Sequence, residues 1–285
     1  MLTFILSLPR SGSTVLTAQL DRIKGVACAP ESSFPQVLGV IPAAERADRR
    51  MLGALYLGAT FTPTPLTLDE AEQCMEGSNE EILFALGRAV AVKLGRDSDL
   101  VKEVVWKTPR TVGMHGGPLS TSGKFIILRR NPQNVFESQF RVSFGEKNRN
   151  PYRFAIFRES YEHSFARVPI DRRMDIEYDA LPDALPVIAE FIGVNWDVRW
   201  ESGRSNLEFA AESCSWMTDV TKEFKNTDPE KRARLDPVQV ARLETAMKVA
   251  LPLRPLLGPV RAYFDRLSMR SIRMRAEAAL QGVQA

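Results

Sequence analysis

The sequence predicts an α/β fold of three layers, with helices covering both faces of a mostly parallel central sheet. Three observations carry that prediction. Short continuous apolar runs recur at residues 3–8, 26–29, 101–106 and 124–128, as expected of strands buried on both faces. Stretches with helical spacing of apolar residues lie between them. The resulting order is strand, helix, strand, helix, strand, strand, helix, strand, helix, which right-handed crossovers turn into a parallel sheet.

In chain order, residues 3–8 form the first strand, bounded by Pro9. Residues 14–23 form a helix with Val15, Leu16, Ala18, Leu20 and Ile23 inward, ended by Gly25. Residues 26–29 are the second strand. Residues 30–70 hold five prolines and little periodicity, so they read as a long, partly helical excursion. Asn79 is expected to cap a helix over 80–94 with Ile82, Leu83, Leu86, Val90 and Leu94 on its apolar face. The third strand covers 101–106 and the fourth 124–128, the clearest because Phe-Ile-Ile-Leu is unbroken. Pro132 opens the next helix, at a position where proline is tolerated. A fifth strand at 173–178 and a helix over about 182–192 complete the alternation. Near the C-terminus Leu256, Val260, Phe264 and Leu267 make an apolar stripe among arginines. Without interleaved aromatics this reads as an amphipathic helix docked on the domain, not a nucleic-acid or membrane surface.

Composition narrows the function. At 285 residues, 44% hydrophobic and 26% charged, the chain reads as one globular domain over 1–285, not a disordered or disulfide-built one. The net charge is only +3, so any anion site must come from local placement of cations. Cys28, Cys74 and Cys214 lie far apart and have no metal-ligand spacing, which suggests a reducing, cytoplasmic location. With only His115 and His163, a site built from several histidines is excluded. No run reaches the roughly 18 apolar residues of a membrane span, and the apolar start is too short for a secretory signal.

The informative segment follows the first strand: Leu8-Pro9-Arg10-Ser11-Gly12-Ser13-Thr14. A strand-to-helix loop points backbone N–H groups and a helix N-terminus at an anion. Compared with the triphosphate-binding pattern G-x-x-x-x-G-K-[ST], Ser7 replaces the first Gly, Gly12 and Thr14 match, and Ser13 replaces the lysine. Arg10 supplies a cation earlier in the loop. The third and fourth strands run into Lys107 and into Arg129-Arg130, so the strand ends are basic and offer no carboxylate to magnesium. In an open parallel sheet ligands lie at those ends, where Arg10, Lys107 and Arg130 can converge on one anion. Taken alone, the loop has a plainer alternative, a tight turn with a helix cap.

A second segment follows the fourth strand. In Arg130-Asn131-Pro132-Gln133-Asn134-Val135-Phe136-Glu137-Ser138, one helix face passes through Asn131, Asn134 and Ser138. An arginine and a hydroxyl so placed suit a phosphate. Together the two segments resemble the sulfotransferases that use 3′-phosphoadenosine 5′-phosphosulfate (PAPS). The loop at 9–14 is similar to their 5′-phosphosulfate loop, in its arginine version. Arg130 through Ser138 is similar to their 3′-phosphate motif. Glu177-Tyr178-Asp179 and Phe191-Ile192-Gly193-Val194 resemble two later landmarks. The likeness covers about residues 3–195, with a weaker tail to about 245. The C-terminal Arg-Lys-Gly loop of cytosolic members is not visible. Residues 221–226 are the candidate replacement, with Lys222 or Lys225 as the cation.

The resemblance implies a P-loop NTPase-like sulfotransferase fold and a metal-independent transferase of the bacterial, carbohydrate or tyrosyl type. PAPS is the donor, adenosine 3′,5′-bisphosphate the product, and the partner a small-molecule or glycan hydroxyl acceptor, with no nucleic acid. Ser11, Gly12, Ser13 and Thr14 join Arg10 on the 5′ side, and Arg130, Ser138 and Lys225 take the 3′-phosphate. Lys107, in Trp106-Lys107-Thr108-Pro109, is the second cation beside the transferred group; a strand-end lysine snorkelling to solvent is the plainer alternative. Glu31, in Pro30-Glu31-Ser32-Ser33-Phe34, is the expected base, and His115, in a glycine-rich loop, is its rival. Acceptor walls are expected at about 35–75 and 140–170. The second carries Phe140, Phe144, Tyr152, Phe154, Phe157 and Tyr161, which suit stacking on a ring or packing as a helical lid. Two other classes stay open at this point: a small-molecule kinase with a degenerate loop, and a non-catalytic nucleotide-binding protein.

Overall fold

The computed structural model describes residues 1–108, 116–140, 149–213 and 228–282; of the side chains at 116, 140 and 259–264 only the backbone path is described. Five strands form one parallel sheet: β1 (Leu2–Ser7), β2 (Val26–Cys28), β3 (Glu103–Lys107), β4 (Lys124–Arg129) and β5 (Arg173–Glu177), in spatial order β2-β3-β1-β4-β5. β1 is central, with Ile5 level with Lys107 of β3 and Ser7 level with Leu128 of β4. The C-terminal ends of β3 and β4 therefore flank the loop that leaves β1.

Alternate residues along each strand serve opposite layers. Phe4, Leu6, Val104, Trp106, Phe125 and Ile127 belong to one core. Ile5, Val105, Ile126 and Leu128 belong to the other. The second core is closed by α1 (Ser13–Leu20), through Leu16 and Leu20, and by a helix after β5 that brings Leu185, Ile188 and Ile192. Two separate apolar cores on two faces are what the continuous apolar strands required, and the three-layer α/β/α class holds.

Residues 30–70 are far more helical than their prolines suggest. They hold α2 (Phe34–Leu38), α3 (Ala43–Ala47), α4 (Arg49–Ala59) and the start of α5 (Leu68–Gln73). Pro35 sits in the first turn of α2, where its missing N–H is harmless. Asp48 caps α4 by accepting from the Met51 N–H, and Thr67 with Glu70 forms a capping box on α5. α6 (Asn79–Lys93) is capped by Ser78, not Asn79: the Ser78–Glu81 capping box satisfies donors at both positions. α1 stops at Leu20, before Gly25, and the Asp21 side chain turns back to accept from the Cys28 N–H.

Further on lie α7 (Gly116–Leu119), α8 (Pro132–Phe140), α9 (Pro151–Phe165), α10 (Leu181–Ile192, the helix after β5), α11 (Asn206–Ser213), α12 (Asp228–Arg232), α13 (Pro237–Ala250) and α14 (Leu257–Leu280). α14 packs on α4 and α9. It approaches α4 so closely that a Cβ on Gly58 would lie 2.6 Å from the Ile272 carbonyl oxygen. The stripe that buries it differs from the expected one. Ile272 and Ala276 are buried, whereas Leu256 and Leu267 are exposed; the side chains of Val260 and Phe264 lie outside the described set. The small Ala276 permits the close approach at Gly58, which larger residues would prevent. Among the described residues no helix is long and apolar enough to cross a membrane.

Candidate active site at the carboxyl ends of the strands

The loop after β1 is bent by two consecutive demands on the backbone. Arg10 adopts φ 74°, a left-handed conformation unusual for a side chain with a Cβ, and Gly12 adopts φ 92° as the N-cap of α1. The Ser11 N–H closes a turn onto the Leu8 carbonyl at 3.2 Å. Gly12 has a second reason to be glycine, because a Cβ there would lie 2.2 Å from the Tyr178 ring. Tyr178, just past β5, thus lies against the loop.

The Arg10 side chain reaches across to α8, donating Nε–H to Ser138 Oγ at 3.2 Å. Burial, and then the neighbouring charge of Arg130, hold its pKa below the usual guanidinium value, while Glu31 acts in the opposite sense. Arg10 therefore stands between the two halves of the site.

On one side is Lys107, at the end of β3. Its Nζ donates to Thr14 Oγ1 at 2.7 Å and lies 2.5 Å from Glu31 Oε2. The side chains of Lys107 and Glu31 are only 4% and 12% exposed, so Lys107 does not snorkel to solvent. Glu31 is fixed by its own backbone: its N–H donates to Thr62 Oγ1 at 3.0 Å, and its carbonyl accepts from the Phe61 N–H at 2.8 Å. The stretch after α4 thus clamps the segment carrying the carboxylate.

On the other side is Arg130. Its Nε donates to Asp228 Oδ2 at 3.0 Å, Nη2 pairs with Asp228 Oδ1, and Nη1 donates to the Arg10 carbonyl at 3.1 Å. Its guanidinium stacks 3.9 Å from the centre of the Tyr178 ring. Asn134 Nδ2 donates to Asp228 Oδ2 at 2.5 Å. Ser138 bonds Arg10, and Arg130 pairs with Asp228, a buried carboxylate that satisfies its guanidinium edge.

Lys231, also on α12, completes the cluster. Its pKa is lowered to about 8, by burial first and then by the charge of Arg130, with Arg10 adding to the fall and Asp228 and Glu137 opposing it. Sequence reasoning missed both α12 residues. Asp228 lies 98 positions from Arg130, and no local pattern announces so distant a contact. The cation expected from Lys222 or Lys225 falls outside the described residues, as does His115.

Several buried hydroxyls here have no hydrogen-bond partner among the described residues: Ser7 Oγ, Ser11 Oγ and Thr108 Oγ1. Ser7 and Ser11 flank the loop's turn, and Thr108 adjoins Lys107. Unpartnered buried donors beside Arg10 and Lys107 suit an incoming oxyanion. Of the aromatics in the 140–170 region, Phe154 and Tyr161 are fully buried, with Phe154 edge-on to Phe136 and Tyr161 near Phe157 and Phe165. Tyr152 is exposed, against Val238 and Arg242 of α13. Among the described residues no group of three or more His, Cys, Asp or Glu side chains is arranged to hold a metal ion.

The family model described as "Sulfotransferase family" matches residues 3–197. No curated protein matches the chain. Several solved structures resemble it weakly. The sulfotransferase domain of a Synechococcus olefin synthase is 22% identical at a TM-score of 0.41, covering 87% of this chain and 94% of its own. A sulfotransferase from Alicyclobacillus acidocaldarius is 14% identical at 0.39, covering 86% and 95%. The sulfotransferase domain of the curacin biosynthetic pathway is 18% identical at 0.39, covering 85% and 82%. Likenesses of this size assign no role to any residue.

Proposed function

The chain belongs to the sulfotransferase family, and from that premise we propose that it moves a sulfuryl group from PAPS to the hydroxyl of a small molecule or glycan. The observation that supports this most is one ammonium group. Lys107 bridges the Thr14 hydroxyl of the anion loop and the Glu31 carboxylate, with Arg10 alongside. A binding loop alone has no use for a buried carboxylate beside it, whereas a transferase needs a base within reach of the transferred group.

The residues fit such a donor. Arg10, the unpartnered Ser11 hydroxyl and the N-terminus of α1 gather where a 5′-phosphosulfate would lie. Arg130, Ser138 and Lys231 gather on the far side, where a 3′-phosphate would lie, and Lys225 remains a proposed further cation for it. When bound, PAPS supplies an activated sulfuryl group on a phosphate leaving group. Glu31 takes the proton of the acceptor hydroxyl. Lys107 orients that carboxylate, and with Arg10 it offsets negative charge as it grows on the phosphate side. Thr14 orients Lys107 by accepting its hydrogen bond. The aligned N–H groups of the loop do the same work as cations without any rearrangement.

In this reading residues 1–285 act as one sulfotransferase domain, with the stretches at about 35–75 and 140–170 forming the acceptor side. Its acceptor is a sugar, a tyrosine or a natural-product alcohol.

Melting-temperature shifts test the reading. Stabilisation by adenosine 3′,5′-bisphosphate but not by ATP with magnesium supports it; the reverse favours a kinase. Arg10→Ala should remove the shift. Glu31→Gln should keep the shift and stop sulfate transfer, whereas retained transfer moves the base role to His115.

A further inference from the structure

We propose that the Asp228 carboxylate occupies the anion-binding edge of Arg130 in the empty protein, and that it is exchanged for the nucleotide's 3′-phosphate on binding. This rests on the donor reading above and adds a residue that sets how strongly the 3′-phosphate is felt.

Arginine grips phosphate and carboxylate in the same way, through two parallel N–H groups on one edge. In Arg130 that edge is Nε with Nη2, and both point at Asp228. The other contacts of the guanidinium are also fixed, with Nη1 on the Arg10 carbonyl and the flat face on Tyr178. Asn134, which shares the inward face of α8 with Ser138, donates to the same Asp228 oxygen. Two residues from the segment that resembles a 3′-phosphate motif thus converge on one internal oxyanion. The pair is deeply buried, with Arg130 and Asp228 side chains 5% and 1% exposed.

A phosphate monoester carries close to two negative charges at neutral pH and has three acceptor oxygens. It can engage Arg130, Asn134, Lys231 and Ser138 together, whereas the carboxylate brings one charge and two oxygens. Placing both anions on one guanidinium edge is opposed by like-charge repulsion in a site shielded from water. Rotation of the Asp228 side chain releases the edge and leaves Lys231 on α12. A nucleotide without a 3′-phosphate has nothing to exchange and leaves the pair closed.

The experiment compares wild type with Asp228→Asn by titration with adenosine 3′,5′-bisphosphate and with adenosine 5′-phosphate. Removing the internal competitor should tighten the bisphosphate by about tenfold, since the closed state no longer reduces the binding-competent fraction. Adenosine 5′-phosphate should change less than about twofold by the same relation. If Asp228 instead braces Arg130 for phosphate, Asp228→Asn weakens the bisphosphate, and the proposal is overturned. An equal change for both nucleotides overturns it too.

A wild type that prefers neither nucleotide defeats the donor reading alone, and inorganic phosphate then decides the exchange. Phosphate should raise the melting temperature of Asp228→Asn more than that of wild type; equal shifts contradict exchange. Should the variant not fold, amide exchange on the wild-type protein settles the matter. Bisphosphate should speed exchange at residues 228–232 if Asp228 lets go, and slow it if Asp228 stays.

Discussion

Two buried ion-pair clusters in this molecule use the same chemistry to opposite ends. The first joins Asp21, after α1, to Arg96, after α6. Asp21 Oδ1 accepts from Arg96 Nη1 at 2.7 Å and from the Cys28 N–H at 2.9 Å, and Oδ2 accepts from the Asn206 N–H at 2.9 Å. Arg96 Nη2 adds the Asp21 carbonyl at 2.8 Å, and the guanidinium lies over Trp200 at 5.1 Å. One cation meets one carboxylate, and α1, β2, α6 and the segment leading to α11 are bolted together.

The second cluster lies at the carboxyl ends of the strands. Among the described residues, Arg10, Lys107, Arg130 and Lys231 face Glu31, Asp228 and Glu137, one more cation than carboxylates. Hydroxyls of Ser7, Ser11 and Thr108 have no partner among the described residues. A matched pair closes a fold; a surplus of partly buried positive charge with spare donors is what the proposed anion site requires. The difference therefore lies in the local charge balance, which the overall +3 conceals.

Substitutions should separate the two clusters. The largest expected effect is on turnover: Glu31→Gln should lower kcat by about 10²–10⁴-fold, the usual contribution of a positioned base. The melting temperature should fall, because Lys107 loses its buried partner, while bisphosphate affinity should not weaken, as steady-state sulfate transfer and calorimetry would show. Next is Arg96→Met, which strands Asp21 and should lower stability by about 3–5 kcal/mol in denaturant titration. Bisphosphate affinity of the folded fraction should stay unchanged; if it falls, the bolt and the site are not separate.

Gly12→Ala combines a left-handed φ with a collision against Tyr178, and should destabilise the protein by about 2–4 kcal/mol. Unlike Arg96→Met, it should also weaken the bisphosphate, because the loop itself must shift.

The smallest effect is a pH dependence. Lys231 has a folded pKa near 8, below the ordinary lysine value. Its folded state binds fewer protons than the unfolded chain between about pH 8 and 10.5, so its contribution to stability rises with pH through that window. Binding runs the other way. A phosphate beside Lys231 restores the proton, so bisphosphate affinity should be flat below pH 8 and fall above it. Lys231→Met should bind more weakly at pH 7 and show no such fall in calorimetry at pH 7 and 9.5.

The sheet and the loop after β1 were legible because both are local. Phe-Ile-Ile-Leu at 125–128 and the pattern from Ser7 to Thr14 need only their neighbours to be read. Lys107 and Arg130 were legible as strand-end cations, since parallel topology brings such ends together. The short helices at 34–59 were obscured by prolines, although Pro35 and Asp48 sit in sound helix-start positions. The Ser78–Glu81 box was present in the sequence, and attention to the adjacent Asn79 misplaced the cap by one residue. Asp228 and Lys231 had no local signal at all. Their part in the site comes from α12 packing on α8, a contact that only the folded chain creates.

Calorimetric titration with adenosine 3′,5′-bisphosphate in EDTA, for wild type and for Arg10→Ala, tests most directly whether surplus cations at the strand ends hold a doubly phosphorylated nucleotide. The account predicts saturable binding to wild type that Arg10→Ala weakens by at least about tenfold, the loss of one charge-assisted hydrogen-bonding group. Equal binding by the two proteins, or none by wild type until ATP and magnesium replace the bisphosphate, would contradict it.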